Sequence, residues 1–420
     1  MLLWLFYLTF NCVSLPMIQV TFIAGTYRPS QCGVADYTAH LRRELAHHHV
    51  QSTVLTTTAA AQAIADPSVY GVVPDWKPAS LLPLVRAILQ QKTDILHIQH
   101  AAGTYQFQRS LFLLPPMLRM LGYRLPIVTT AHEYGWWEWQ PSWIPASWLE
   151  AIKTGGQQRH WWDREDGFLL TGSQAIITTN DNIAKIISER LPGLQSRLSS
   201  IPIAANIDVA PIERSIARAQ LRDRCQWAEE TQVIVFFGFL HPVKGIETLL
   251  KAFRQVISEH LQARLLLIGG VETLALPGAE AKSYWEQLQQ EITALELNDF
   301  VHRTGYVSAE EASYLLSGSD IGVLPFNPGV TLKSGSLLAL LAHQLPSIIT
   351  RSDETDISLI QKGIVELIPP RDSNRLANEL VLLLNDPEQR HYLSQAGYNF
   401  VQQFSWSAIA KRHLEIYSEL

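Results

Sequence analysis
Two turns in the second half of the chain join a lysine to the start of a helix. In FFGFLHPVKGIETLL, Lys244 and Gly245 follow an apolar strand and open an amphipathic stretch. In DIGVLPFNPGVTLKSGSLLALLAHQLP the loop Gly329-Val330-Thr331-Leu332-Lys333-Ser334-Gly335-Ser336 stands in the same relation to the next strand and helix. Lysine supplies a mobile point charge, and the first turn of a helix supplies N–H groups without internal partners. Two such turns at strand ends of one sheet could converge on a pair of phosphates. A solvated surface lysine is the plain alternative for each.

The first half offers different chemistry. Its first strand ends in Gly25-Thr26-Tyr27-Arg28-Pro29, and Gly33 precedes a helix, so a ligand could approach the backbone closely there, although such glycines often serve turn geometry alone. A later strand ends in His97, Gln99 and His100, and the next in His132 and Glu133. Histidine suits acid, base or hydrogen-bond work near neutral pH. His97 lies inside an alternating strand and reads as a core residue, whereas His132 lies past the apolar run and beside an acid, which suits function. Seven of the 12 tryptophans fall between Trp136 and Trp162, interleaved with acids. Trp136 and Trp137 are candidates for stacking on a sugar, a lipid or a membrane surface, the alternative being an insertion packed by its own indoles. His47, His48 and His49 read as solvated residues at a helix end.

These residues need a scaffold that gathers strand ends. From residue 18 apolar runs of strand length alternate with amphipathic helices: IQVTFIAG, a helix with Val34, Tyr37, Leu41 and Leu45 on one face, then STVLTT, DILHIQH, PIVTTAH, AIITTN and SSIPIAANI. The series restarts at QVIVFFGFL and continues through ARLLLIGG, FVHRTGYV, DIGVLPF and PSIIT, with a helix around 282–296 and a capping box, Ser308 to Glu311. The alternation predicts an α/β chain of two doubly wound, Rossmann-like domains facing a cleft. At 420 residues and 47% hydrophobic content two cores are affordable. The expected division is an apolar extension over 1–16, a first domain over 17–205, a second over 206–402 and a closing segment over 403–420. Residues 1–16 lack the basic start of a signal peptide and the length of a spanning helix; translation could begin at Met17, with a weakly membrane-dipping segment as the competing reading. The net charge of −6 argues against nonspecific nucleic-acid binding. Cys12, Cys32 and Cys225 suggest neither a disulfide framework nor a zinc site, and point to a reducing interior.

FFGFLHPVKGIETLLKAF, residues 325–350, IPIAANI and the closing SWSAIAKRHLEIYSEL together resemble the nucleotide-sugar glycosyltransferases of family 4, which have the GT-B fold. The resemblance implies a second domain that binds a nucleoside diphosphate sugar and a first domain that binds a glycan or lipid-linked acceptor, with no metal and no cofactor beyond the co-substrate. It implies that Lys244, with Gly238 and Gly245, contacts the diphosphate and that Leu332, Lys333, Ser334, Gly335 and Ser336 cradle it. It places His132 and Thr331 at the transferred sugar, has Gly25 and Gly33 flank the cleft beside Glu133, Trp136 and Trp137, and folds the last helix back onto the first domain. A cytoplasmic enzyme with peripheral membrane contact is the corresponding setting. The chain departs from the pattern at Phe239, where relatives usually carry Arg, and at Thr331 and Ala339, where they carry two glutamates. Lys333 could replace the missing cation. The absent acids leave two other readings open, a sugar-nucleotide epimerase and a binding protein without catalysis.

Overall fold
The structure, a computed structural model, describes residues 17–29, 32–272 and 276–420. The apolar extension over 1–16 therefore lies outside the described residues. Seven strands form the first sheet: β1 Gln19–Ala24, β2 Gln51–Thr57, β3 Val69–Val73, β4 Ile95–His100, β5 Ile127–Ala131, β6 Ala175–Thr178 and β7 Leu198–Ser200. All pair in parallel in the order β3-β2-β1-β4-β5-β6-β7. Six more make a second parallel sheet: β8 Gln232–Phe237, β9 Ala263–Ile268, β10 Val301–Gly305, β11 Ile321–Leu324, β12 Ser347–Thr350 and β13 Glu366–Ile368, ordered β10-β9-β8-β11-β12-β13. Each sheet reverses direction beside its first strand, at β1/β4 and at β8/β11, and ligands of such sheets sit beyond the carboxyl ends of the strands at that point.

Local chemistry explains the elements. The strand runs are continuous rather than alternating in hydrophobicity because helices cover both faces, and β5, β6, β11 and β12 are buried at every residue. The helix Ile246–Glu259 buries Leu249, Leu250, Phe253, Val256 and Ile257 on one stripe against the second sheet. Ser308 caps the helix Ala309–Ser317 by accepting from the Glu311 amide. The helix expected around 282–296 runs from Gly278 to Ala294. Of SSIPIAANI only the start pairs as β7; the remainder is a loop that still buries Ile201, Ala204 and Ile207.

The chain changes sheets within a short stretch. Ala210 already donates its amide to Ser313 Oγ of the second domain at 2.8 Å. The helix Arg214–Cys225 is fixed there by Arg222, which pairs with Asp320 at 2.7 Å. The last helix, Trp406–Ser418, returns to the first domain and puts Trp406, Ile409, Ala410 and Tyr417 into the core cluster of Phe22, Tyr37 and Leu41. Burying that apolar face gains about 25 cal/mol for each Å² removed from water.

Candidate active site
Between the two sheets lies a cleft of about 960 Å³ lined from both domains. Its second-domain wall begins at Gly238, the residue after β8, whose Cα is approached so closely by Ser336 Oγ that a Cβ would stand 2.9 Å from it. Lys244 comes next, in the turn Pro242–Lys244. Asn327 ties that turn to the loop after β11, its amide donating to the Val243 carbonyl and its side chain to the Pro242 carbonyl, both at 2.9 Å. Gly245 takes φ +66° and lies directly against the Pro325 carbonyl, so no side chain fits there. These contacts bring the two lysine turns to one place. Lys244 Nζ sits 3.6 Å from the centroid of the Phe326 ring, and burial lowers its pKa to about 8.

In the second turn Ser334 accepts from the Leu337 amide at 3.2 Å and so caps the helix Gly335–Ala342. The N–H groups of Gly335 and Ser336, its first two residues, have no intrahelical acceptor and belong to the cleft wall together with Lys333 and Ser334. Leu332 departs from the expectation that its backbone would cradle a phosphate, because its amide donates to Asp356 Oδ2 at 2.6 Å. Thr331 does not reach the cleft either; its hydroxyl lies 3.4 Å from the Lys333 amide and its carbonyl accepts from Ser334. Burial depresses the Lys333 pKa, opposed by Glu133, Glu354 and Asp356. Ala339, at the second position where a glutamate was expected, is wholly buried and has no route to a ligand.

The first-domain wall carries Gly33, Arg28, Asp36, Tyr37, Thr104, His132 and Glu133. Gly25 shapes this wall without lining it. A Cβ there would collide with Thr104, at 2.5 Å from its Oγ1 and 2.6 Å from its carbonyl oxygen. Gly33 is open, with Asn206 Nδ2 the nearest atom at 3.8 Å. The same Asn206 amide would be 3.2 Å from a Cβ on Gly335, so the helix starts of the two domains meet at Asn206. Arg28 Nε pairs with Asp36 Oδ1 at 2.9 Å. Glu133 is open to the cleft, its carboxyl raised by burial while the Lys333 charge opposes that rise. His132 Nε2 bonds Gln99 Oε1 at 2.8 Å, and burial, aided by His100, His413 and Lys333, lowers its pKa to about 3, so the ring is neutral at physiological pH.

Trp136 and Trp137 are not brought to the cleft. Trp137 packs against Phe112, at 5.8 Å between centroids, under the Arg109 guanidinium at 3.8 Å. Trp136 is 57% exposed and meets Phe107 edge-on. Within the insertion Trp162 lies over Gly156 of the helix Ala146–Gln158, while Trp143, Trp148 and Trp161 face solvent. The residues that sequence reasoning missed are Arg28, Asp36, Thr104, Asn206 and Tyr306 in the cleft and Asp356 behind it. Among the described residues no group of three or more His, Cys, Asp or Glu could hold a metal, and no helix is long and apolar enough to cross a membrane.

Known proteins share this architecture. The fold superposes on a sucrose-phosphate synthase from Thermosynechococcus elongatus with a TM-score of 0.69 at 19% identity, over 96% of this chain and 98% of that one. It also superposes on the Anabaena HepE protein in complex with UDP and glucose, with a TM-score of 0.66 at 16% identity, over 96% of this chain and all of the other. A D-inositol 3-phosphate glycosyltransferase of Kineococcus radiotolerans is 22% identical over 231 residues, 52% of this chain and 51% of that protein. A lipopolysaccharide 1,2-N-acetylglucosaminetransferase of Salmonella typhimurium is 25% identical over 251 residues, 56% of this chain and 62% of that one. The chain thus spans about half to two thirds of the length of these curated relatives. Residues 231–386, which hold both lysine turns, match the family model described as glycosyl transferases group 1. The second domain thus resembles the group 1 glycosyl transferases, in a chain whose two parallel Rossmann-like domains share the GT-B fold of the structures above.

Proposed function
We propose that the protein transfers a hexosyl unit from a nucleoside diphosphate sugar to a hydroxyl of a glycan or lipid-linked acceptor. The observation that carries this reading is the cleft itself. Lys244, Lys333 and the free amides of Gly335 and Ser336 form one wall, and His132 and Glu133 form the other. Cations and helix amides aimed at a departing diphosphate stabilise the charge that develops on its oxygens, which is the task a divalent ion performs elsewhere. The reaction on this reading needs no metal and no cofactor beyond the co-substrate. The relatives named as glycosyltransferases and the UDP and glucose held by the Anabaena protein support the choice of a sugar nucleotide.

The expected donor-loop acids are absent at Thr331 and Ala339, and Glu133 from the opposite domain takes their place beside the sugar. Its carboxylate and Lys333 interact across the cleft, so a donor entering between them meets both charges. The acceptor lies on the first-domain side, near Arg28, Asp36 and Thr104. We assign the enzyme to the cytoplasm, at the inner face of the membrane, with exposed Trp143, Trp148 and Trp161 as the contact.

Nucleotide release by purified protein, measured against a panel of sugar nucleotides with and without acceptor glycans, tests the proposal. Release that requires acceptor supports transfer. Interconversion of the sugar nucleotide without acceptor would establish an epimerase, and binding without any turnover would establish a binding protein.

A further inference from the structure
His132 stands at the end of a buried polar chain that reaches the last helix. Its Nε2 lies 2.8 Å from Gln99 Oε1. Gln99 Nε2 lies 3.2 Å from His97 Nε2, which also meets Thr130 Oγ1 at 2.7 Å. His97 Nδ1 in turn meets the Tyr417 hydroxyl at 2.6 Å. His97, Gln99 and Thr130 have no exposed surface. A second contact fixes the ring plane: Tyr37 packs edge-on against His132 at 4.8 Å between centroids. Tyr37 is itself held by His413, whose Nδ1 donates to the Ile409 carbonyl at 2.8 Å and whose Nε2 therefore accepts the tyrosine proton, at 3.3 Å.

A neutral imidazole has one proton for two nitrogens, and a carboxamide has one accepting end and one donating end. The order of donors along the chain is therefore set as a unit. With the Gln99 oxygen toward His132, the proton of His132 is on Nε2. The Gln99 amino group and the Thr130 hydroxyl then point at a bare His97 Nε2, and His97 carries its proton on Nδ1 and donates it to Tyr417. Reversing the amide would reverse each of these assignments. Leaving any of these atoms buried without a partner forfeits its hydration with nothing in return, so one order prevails over a mixture.

We propose that Gln99 is a positioning residue that takes the Nε2 proton of His132, so that Nδ1 faces the cleft as a hydrogen-bond acceptor for a sugar hydroxyl, with His97 and Tyr417 holding the amide in that sense. This rests on the glycosyl-transfer reading above. The role is one of orientation, and it assigns the last helix a part in the site besides packing.

The test uses the full chain labelled with 15N at histidine, with His132 identified by the resonance missing in His132→Gln. Long-range proton–nitrogen spectra should show His132 protonated at Nε2 and bare at Nδ1. Gln99→Leu should mix the two tautomers and lower kcat about tenfold with the donor KM held within about twofold, because orientation rather than binding is lost. Tyr417→Phe, which removes only the far end of the chain, should shift the His97 resonances and lower kcat by a smaller factor, and it serves if Gln99→Leu does not fold. His132 protonated at Nδ1 in the resting protein, or variants whose tautomer and kcat match wild type, would overturn the proposal. Absence of turnover with every sugar nucleotide would instead sink the transferase reading, since the spectra require no substrate.

Discussion
The two walls of the cleft are built in opposite ways. The second-domain wall is two short local turns pinned together: Lys244 sits in one, which Asn327 holds from 85 positions away, and Lys333, Ser334, Gly335 and Ser336 are consecutive in the other. The first-domain wall is assembled from distant residues, with His97 bonded to Tyr417 across 320 positions and Tyr37 to His413 across 376. A local wall can present charge and amides to a ligand common to many enzymes. A wall assembled at long range fixes the geometry of one side chain, His132, and depends on the whole first domain and the last helix.

The sharpest way to break this division is Lys244→Ala. Loss of a preorganised cation facing the leaving group should reduce kcat/KM by about 100- to 1,000-fold, as removal of comparable groups does. Steady-state turnover with a fixed acceptor measures it, and an effect confined to a few-fold would remove Lys244 from the chemistry. Next in size is a contrast between helix-start glycines on the two walls. Gly245→Ala forces a side chain against the Pro325 carbonyl at φ +66° and should cost about 2 kcal/mol or more, visible as a lower Tm. Gly33→Ala, with 3.8 Å of room, should leave Tm within about a degree or two.

The walls should also differ in their response to pH. The free protein holds the Lys244 pKa near 8, below the usual 10.5. A diphosphate favours the ammonium form, so affinity should be level below pH 8, then fall by up to about tenfold per unit above it with proton uptake on binding. Calorimetry in buffers of different ionisation enthalpy measures this, and Lys244→Ala should flatten the profile. His132, held to about 3, should contribute no limb between pH 5 and 8. The smallest expected change comes from outside both walls. Replacing Trp143 and Trp148 together by alanine should alter turnover of a soluble acceptor by less than about twofold while weakening sedimentation with anionic lipid vesicles.

What could be read from the residues follows the same division. Alternating strands and helices disclosed the two sheets because the central strands are buried on both faces. The edge strands β3 and β13 escaped notice: Tyr70 and Gly71 are exposed in the first, and the second has three residues. Lys244 and Lys333 were readable because a turn between strand and helix is a local pattern. The capture of the Leu332 amide by Asp356, 24 residues onward, left no local trace. Trp136 and Trp137 show the converse, since their composition suggested a ligand surface while Arg109 and Phe112 claim Trp137 for packing. The role of Gln99 lay hidden in a two-residue spacing from His97, which places both on one face of β4 without revealing that Tyr417 would meet them.

Binding of the nucleoside diphosphate alone tests the central claim most directly, because it engages one wall and not the other. Titration calorimetry at pH 7.5 should show Lys244→Ala binding the nucleotide at least about tenfold more weakly than wild type, with His132→Gln within about twofold of it. Equal losses in both variants, or wild-type affinity in Lys244→Ala, would contradict the account.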